Sequence, residues 1–265
     1  MERASHRLAR MMNESGVDAV RVGSVCSGPG IGERAVAEVM ACIGRATSTE
    51  MRSTIQFCCE IVKEKKDWLQ AQGVAPIIFK DAEQMGNAVA FDWVSNSMQR
   101  VPHVDIFSAG FSCKDLSNLN DNRENMQSHI GDALESLSLE NVQQHLEATG
   151  STATTLLGVL RYVSFHRPGL VMLENVTNVL RIVDKLFALL EKFGYVAGYL
   201  EVSPEQFGIP QTRHRVYIYG CNRALLEIPL TIQLKSVEDT EEIGPRHLEE
   251  VDGGQPESGQ LPVAR

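Results

Sequence analysis

Cys113 and Glu174 stand where apolar runs give way to polar ones. In VDIFSAGFSCKDLSN (104–118) the thiol of Cys113 lies just past that change. Open parallel sheets bind ligands outside the carboxyl ends of their strands, so a thiol there can meet a substrate as a nucleophile. Buried instead, it would be one more small apolar side chain. GLVMLENVTNV (169–179) ends its apolar run in Glu174 and Asn175. Partial desolvation at such a place favours a protonated carboxyl and suits a proton donor, although capping the next helix is the alternative duty. FGIPQTRHRVYIYG (207–220) sets Gln211, Arg213 and Arg215 two residues apart. An extended backbone projects them to one side, either to grip an anionic or carbonyl-bearing substrate or as a solvated strand face.

A second group of residues has the types and places of a nucleoside site. SGPGIGE (27–33) follows an apolar run, and Gly28, Gly30 and Gly32 let the backbone turn sharply and approach a ligand at the next helix. Glu33 stands where the dinucleotide pattern G-x-G-x-x-G has its third glycine, and an acid there repels a pyrophosphate. A nucleoside without phosphates fits better. Glu60 and Asp81 each end a further apolar run, where one acid can accept from ribose hydroxyls and the other from an adenine amino group. Either acid is equally placed as an ordinary helix cap.

Apolar runs alternate with helical patterns and so can hold these residues in place. Strands are expected at 19–26, 53–60, 75–81, 104–110 and 169–175, with helices at 33–44, 61–73, part of 83–100, 154–166 and 176–194. Residues 195–203 and 215–221 pair as closing strands. The series predicts an α/β fold with a mostly parallel sheet, helices on both faces and an antiparallel closing strand.

Composition narrows the classes. The chain has 265 residues and a net charge of −9. Residues 114–150 hold seven acids against two bases, and residues 221–265 hold nine against four. No basic stripe marks a nucleic-acid surface, which counts against strong DNA binding by this chain alone. Cysteines at 26, 42, 58, 59, 113 and 221 form no C-x-x-C pair and no zinc spacing, so no metal is expected. No apolar run reaches the roughly eighteen residues of a membrane span.

Taken in order, these stretches resemble the C5-cytosine-specific DNA methyltransferase family, which uses S-adenosylmethionine. VGSVCSGPGIG is similar to the family's cofactor loop, with Cys26 where an aromatic residue is usual. AGFSCKDLS is similar to its Gly-Phe-Pro-Cys-Gln-x-Phe-Ser motif, LENV to Glu-Asn-Val, and GIPQTRHRVYI to Gln-x-Arg-x-Arg. The likeness covers roughly residues 20–220. It implies a Rossmann-like S-adenosylmethionine-dependent fold and a flipped cytosine attacked at C6 by Cys113. Glu174 would hold and protonate N3, and Arg213 and Arg215 would orient the base. Cys26, Gly28, Pro29, Gly30, Glu60, Ile61, Asp81, Ser112 and Thr155 would line the cofactor. Ser112 and Lys114 depart from the motif's proline and glutamine. The serine restores an N–H and loosens φ, and the lysine favours a thiolate.

The resemblance implies a catalytic domain at 19–228, between an N-terminal helical segment (1–18) and an acidic, disordered tail (229–265), with a long mobile loop at 114–150. No Gly-Asn motif or target-recognition region follows Gly220. The implied partners are DNA and a second chain supplying target recognition, and the implied place is the nucleus in a eukaryote and the cytoplasm otherwise. Two other readings stay open: a catalytically weak, cofactor-binding regulatory subunit, and an RNA cytosine C5-methyltransferase.

Overall fold

The structure, a computed structural model, describes residues 19–114, 116, 123–135 and 150–225, together with His6. The segments 1–18 and 229–265 therefore lie outside the described residues, His6 apart, as does much of 114–150.

Nine strands form one sheet. Its centre is five parallel strands in the order β3 (Ile78–Phe79), β2 (Ser53–Cys59), β1 (Val20–Val25), β6 (Ile106–Ala109) and β7 (Leu170–Asn175). An antiparallel pair extends each side: β4 (Val89–Asp92) and β5 (Ser97–Arg100) beside β3, β9 (Arg215–Asn222) and β8 (Tyr195–Val202) beside β7. Strand order reverses between β1 and β6, and such a reversal opens a crevice at the carboxyl ends.

Alternation along β2 shows why both faces are covered. Phe57 and Cys59 enter the large core with Phe107, Leu160 and Leu186, whereas Cys58 packs with Leu69, Ala75 and Ile78 on the opposite face. The first face receives α4 (Gly150–His166) and α5 (Val183–Lys192), and the other receives α1 (Ile31–Thr47) and α2 (Lys63–Ala71). Tyr162 of α4 stacks on Phe107 at 4.1 Å, and its hydroxyl donates to the Pro102 carbonyl at 2.7 Å. Glycine is required at Gly23, where any Cβ would collide with the Phe57 ring of the adjacent strand.

Two stretches expected as α-helix differ, 83–100 and the start of 176–194. Residues 83–100 hold no α-helix: a 3-10 turn, Ala82–Gly86, leads into the β4–β5 hairpin. The turn chemistry decides this, since Asp92 accepts from the N–H groups of Val94 and Ser95, and Asn96 takes φ 52°. Within the stretch expected as a mobile loop, Arg123–Glu135 forms a helix, α3, whose Ile130, Ala133 and Leu134 are buried in the large core. The expected helix at 176–194 also begins as a 3-10 turn, Thr177–Ile182.

Candidate active site

The glycine loop is tied to the end of the neighbouring strand. After β1 the backbone enters the left-handed region at Cys26 (φ 56°), Gly28 (φ 57°) and Gly30 (φ 82°). Ser27 donates from its N–H to the Cys59 carbonyl, and its hydroxyl oxygen accepts from the Cys59 N–H at 3.2 Å. Glu60 is 5% exposed, with one carboxylate oxygen accepting from Gly28 N–H (2.9 Å) and the other from Val62 N–H (3.0 Å). Gly30 is the N-cap of α1, and a Cβ on it would press on Leu69 and Val74 at 3.2 Å. Gly28 faces open space, with nothing within 4 Å of such a Cβ. Ile61 and Pro29 are exposed at the rim. Burial, with Glu60 adding to it, pushes the Cys26 thiol up to about 11, so it stays neutral.

Asp81 opens the turn that follows β3. It is the N-cap of the 82–86 turn and accepts from Glu83 N–H at 2.9 Å. It also borders a cleft with Gln84, Asn87, Arg161 and Phe165. No other candidate residue lines that cleft, so side-chain geometry rather than cavity size locates the chemistry.

Glu33 turns inward rather than toward a ligand. It is 2% exposed and accepts from the Ser24 hydroxyl and, at 3.4 Å, from the Cys58 thiol. The signal in the sequence was Ser24, a lone hydroxyl inside an apolar strand. Burial, reinforced by Glu33, pushes the Cys58 thiol up to about 12.

Cys113 sits in an irregular segment held from several elements. Gly110 N–H donates to the Val25 carbonyl of β1 at 3.3 Å. The Phe111 carbonyl accepts from Asn175 Nδ2 at 3.0 Å, and Ser112 N–H donates to Thr155 Oγ1 at 3.0 Å. Leu116 N–H donates to the Cys113 carbonyl, and the Leu116 carbonyl accepts from Asn178 Nδ2 at 2.7 Å. Thr155, expected at the cofactor, thus reaches the segment that carries Cys113. Asn175 and Asn178 were not singled out from sequence, although both stand in the LENVTN run.

Glu174 closes the site. Alternation along β7 turns Asn175 into the core and leaves Glu174 on the other side, its side chain 32% exposed. Arg215, which opens β9, approaches its Oε1 with Nε at 2.7 Å, while Arg213 Nη2 stands 4.0 Å from the same oxygen. A Cβ on Gly110 would lie 3.3 Å from Glu174 Oε2 and 4.0 Å from the Cys26 carbonyl oxygen. Glycine at 110 therefore leaves room for the carboxylate. The carboxylate, both arginines, the segment leading to Cys113 and the glycine loop meet at the carboxyl ends of β1, β6 and β7. Among the described residues no His, Cys, Asp and Glu cluster suits a metal ion, and no helix is long and apolar enough to cross a membrane.

The crossed parallel sheet with its closing antiparallel pair is a Rossmann-like, S-adenosylmethionine-dependent methyltransferase fold. The Dnmt2 methyltransferase of S. pombe shares it at a TM-score of 0.52, with 14% identity, over 87% of this chain and 58% of that one. Residues 50–251 match the C-5 cytosine-specific DNA methylase family, and the chain belongs to it. The DNA (cytosine-5-)-methyltransferase DMT5 of Cryptococcus neoformans var. grubii is 32% identical over 202 residues, 76% of this chain and 8% of that protein. DMT5 of Verticillium dahliae is 25% identical over 232 residues, again 76% of this chain and 10% of its relative. The chain spans about a tenth of the length of these curated relatives.

Proposed function

We propose that this chain is a catalytic domain that methylates C5 of cytosine in DNA through a covalent adduct between Cys113 and C6. The observation that carries the reading is the Glu174 carboxylate, paired with Arg215 at 2.7 Å and packed beside Gly110, three residues before the thiol. S-adenosylmethionine, when bound, supplies the sulfonium-activated methyl group that a nucleophilic C5 takes up. The residues fit such a nucleoside: Gly28 leaves open space, Glu60 holds its carboxylate at the loop, and Ile61 offers an apolar face that is 71% exposed. Cys26, Pro29, Gly30 and Asp81 complete that lining in this reading, while Ser112 and Thr155 act on the nucleophile side.

The target cytosine is flipped into the crevice, where side chains can reach its ring. The Cys113 thiolate adds to C6, and the C5–C6 π electrons move onto C5 as Glu174 protonates N3. Arg215 and Arg213 hold Glu174 and the base in register. After methylation a base removes the C5 proton, the C5–C6 double bond re-forms as Cys113 leaves as thiolate, and the N3 proton returns to Glu174. With a net charge of −9, DNA affinity and sequence choice fall to a second chain or domain, and a DNA substrate places a eukaryotic protein in the nucleus.

Trapping tests the reading directly. DNA containing 5-fluorocytosine should give an S-adenosylmethionine-dependent adduct that Cys113→Ala abolishes. Measurable cofactor binding without any adduct would refute it.

A further inference from the structure

One peptide unit beside the nucleophile is held at both ends. The Phe111 carbonyl and the Ser112 N–H belong to the same planar group, which ends at the Ser112 Cα, one residue before Cys113. Its oxygen accepts from Asn175 Nδ2 at 3.0 Å, and its nitrogen donates to Thr155 Oγ1 at 3.0 Å. Asn175 is 2% exposed at the end of β7, and Thr155 lies in the first turns of α4, so two separate elements grip the plane. The threonine hydroxyl is itself fixed, because it donates to the Thr152 carbonyl at 3.1 Å and thereby turns a lone pair toward Ser112. Thr152 is fully buried. Nothing regular holds this segment otherwise, since residues 110–113 belong to neither helix nor strand.

We infer that Thr155 is a positioning residue for Cys113, replacing by a hydrogen bond the rigidity that a proline ring would give at position 112. Proline fixes φ covalently but has no N–H. Serine leaves φ free, and the bond to Thr155, opposite the one from Asn175, instead fixes the plane from which that φ is turned. Thr155 touches no reacting atom. It orients the plane from which the Ser112–Cys113 backbone continues, and a misplacement of about an ångström at a nucleophile can slow reaction about a hundredfold. The inference rests on the proposed role of Cys113, and it couples two positions so that each sets the value of the other.

A double-mutant cycle on the full chain tests it. Thr155→Val removes the hydroxyl at nearly constant volume, Thr155→Ser keeps it, and Ser112→Pro removes its partner. Adduct formation on 5-fluorocytosine DNA at saturating cofactor should slow roughly ten- to a hundredfold in Thr155→Val and stay within about threefold of wild type in Thr155→Ser. Cofactor affinity should be unchanged in both. In the Ser112→Pro background, Thr155→Val should have no further effect. Equal slowing in both backgrounds, or a failure of serine to rescue, would overturn the inference. Alkylation of Cys113 by iodoacetamide, followed by peptide mass spectrometry, gives a readout independent of methyl transfer. If wild type forms no adduct, the proposed function fails on its own, and alkylation decides the positioning role. A changed rate in Thr155→Val that Thr155→Ser restores supports it, and identical rates in all three overturn it.

Discussion

Glu174 meets two guanidinium groups at unequal distances, Arg215 at 2.7 Å and Arg213 at 4.0 Å. A partly exposed ion pair of this kind contributes little to stability, typically about 0–1 kcal/mol. Its value lies in where it holds the carboxylate, against Gly110 and between the two motif loops. Glu174→Gln keeps the shape and gives up the charge and the exchangeable proton. Adduct formation should fall about a hundredfold or more, the usual scale of lost general acid–base help, while thermal stability stays within about 1 kcal/mol of wild type. A variant that loses activity only in proportion to lost folded protein would show that Glu174 acts as a structural pair and not in catalysis. Cys26 belongs to the same scale. Its thiol, pushed up to about 11 mainly by burial, stays neutral at the start of the glycine loop and is not poised as a thiolate.

The β4–β5 hairpin rests on one carboxylate. Asp92, 2% exposed, accepts from Ile78 N–H (2.9 Å), Val94 N–H (3.1 Å) and Ser95 N–H (2.9 Å), so it joins the hairpin turn to the edge of the parallel strands. Burial alone raises its pKa, but the bonds from Ser95, Ile78 and Val94 outweigh that and hold it below the ordinary carboxylate value. A folded pKa below the unfolded one, about 3.9, gives stabilisation that is complete above about pH 5 and lost as pH falls through the folded value. Asp92→Asn should therefore lower stability at pH 7 by about 2 kcal/mol and flatten the acid limb of a denaturation series. An unchanged acid limb would remove Asp92 from that role. The hairpin is also where reading the sequence went astray, because side-chain-to-backbone turn bonds carry no periodic signal. The parallel strands were legible, each being an apolar run closed by a polar residue. Motif order pointed to Glu174, Arg213 and Arg215, and the structure brings both guanidinium groups within 4.0 Å of the Glu174 carboxylate. The bond from Ser112 to Thr155 was not legible, since only the three-dimensional packing of α4 against residues 110–113 brings that hydroxyl to Ser112.

For the whole molecule, topology and charge pull in different directions. Strand reversal between β1 and β6 gathers the glycine loop, the segment carrying Cys113, and Glu174 at the carboxyl ends, which is what the proposed base chemistry needs. The long-range field is wrong for gripping a polyanion, because the chain carries 34 acids against 25 bases. Counterion release by basic side chains supplies most non-specific DNA affinity, with a slope of about −0.9 in log K against log salt for each neutralised phosphate. Arg213 and Arg215 face the Glu174 carboxylate, and Lys65 stands 4.0 Å from that of Glu60, so part of the local positive charge is already met by acids. The chain alone should thus bind duplex DNA weakly, with a slope no steeper than about −3 between 50 and 200 mM salt. Fusion to an unrelated DNA-binding domain should raise the rate of adduct formation by local concentration without changing the rate at saturating DNA. A steep slope, near −6 or beyond, would show that this chain carries its own phosphate-binding surface and that the second-chain assignment is wrong. A fusion that changes the saturating rate as well would show that the partner completes the site rather than merely delivering the DNA.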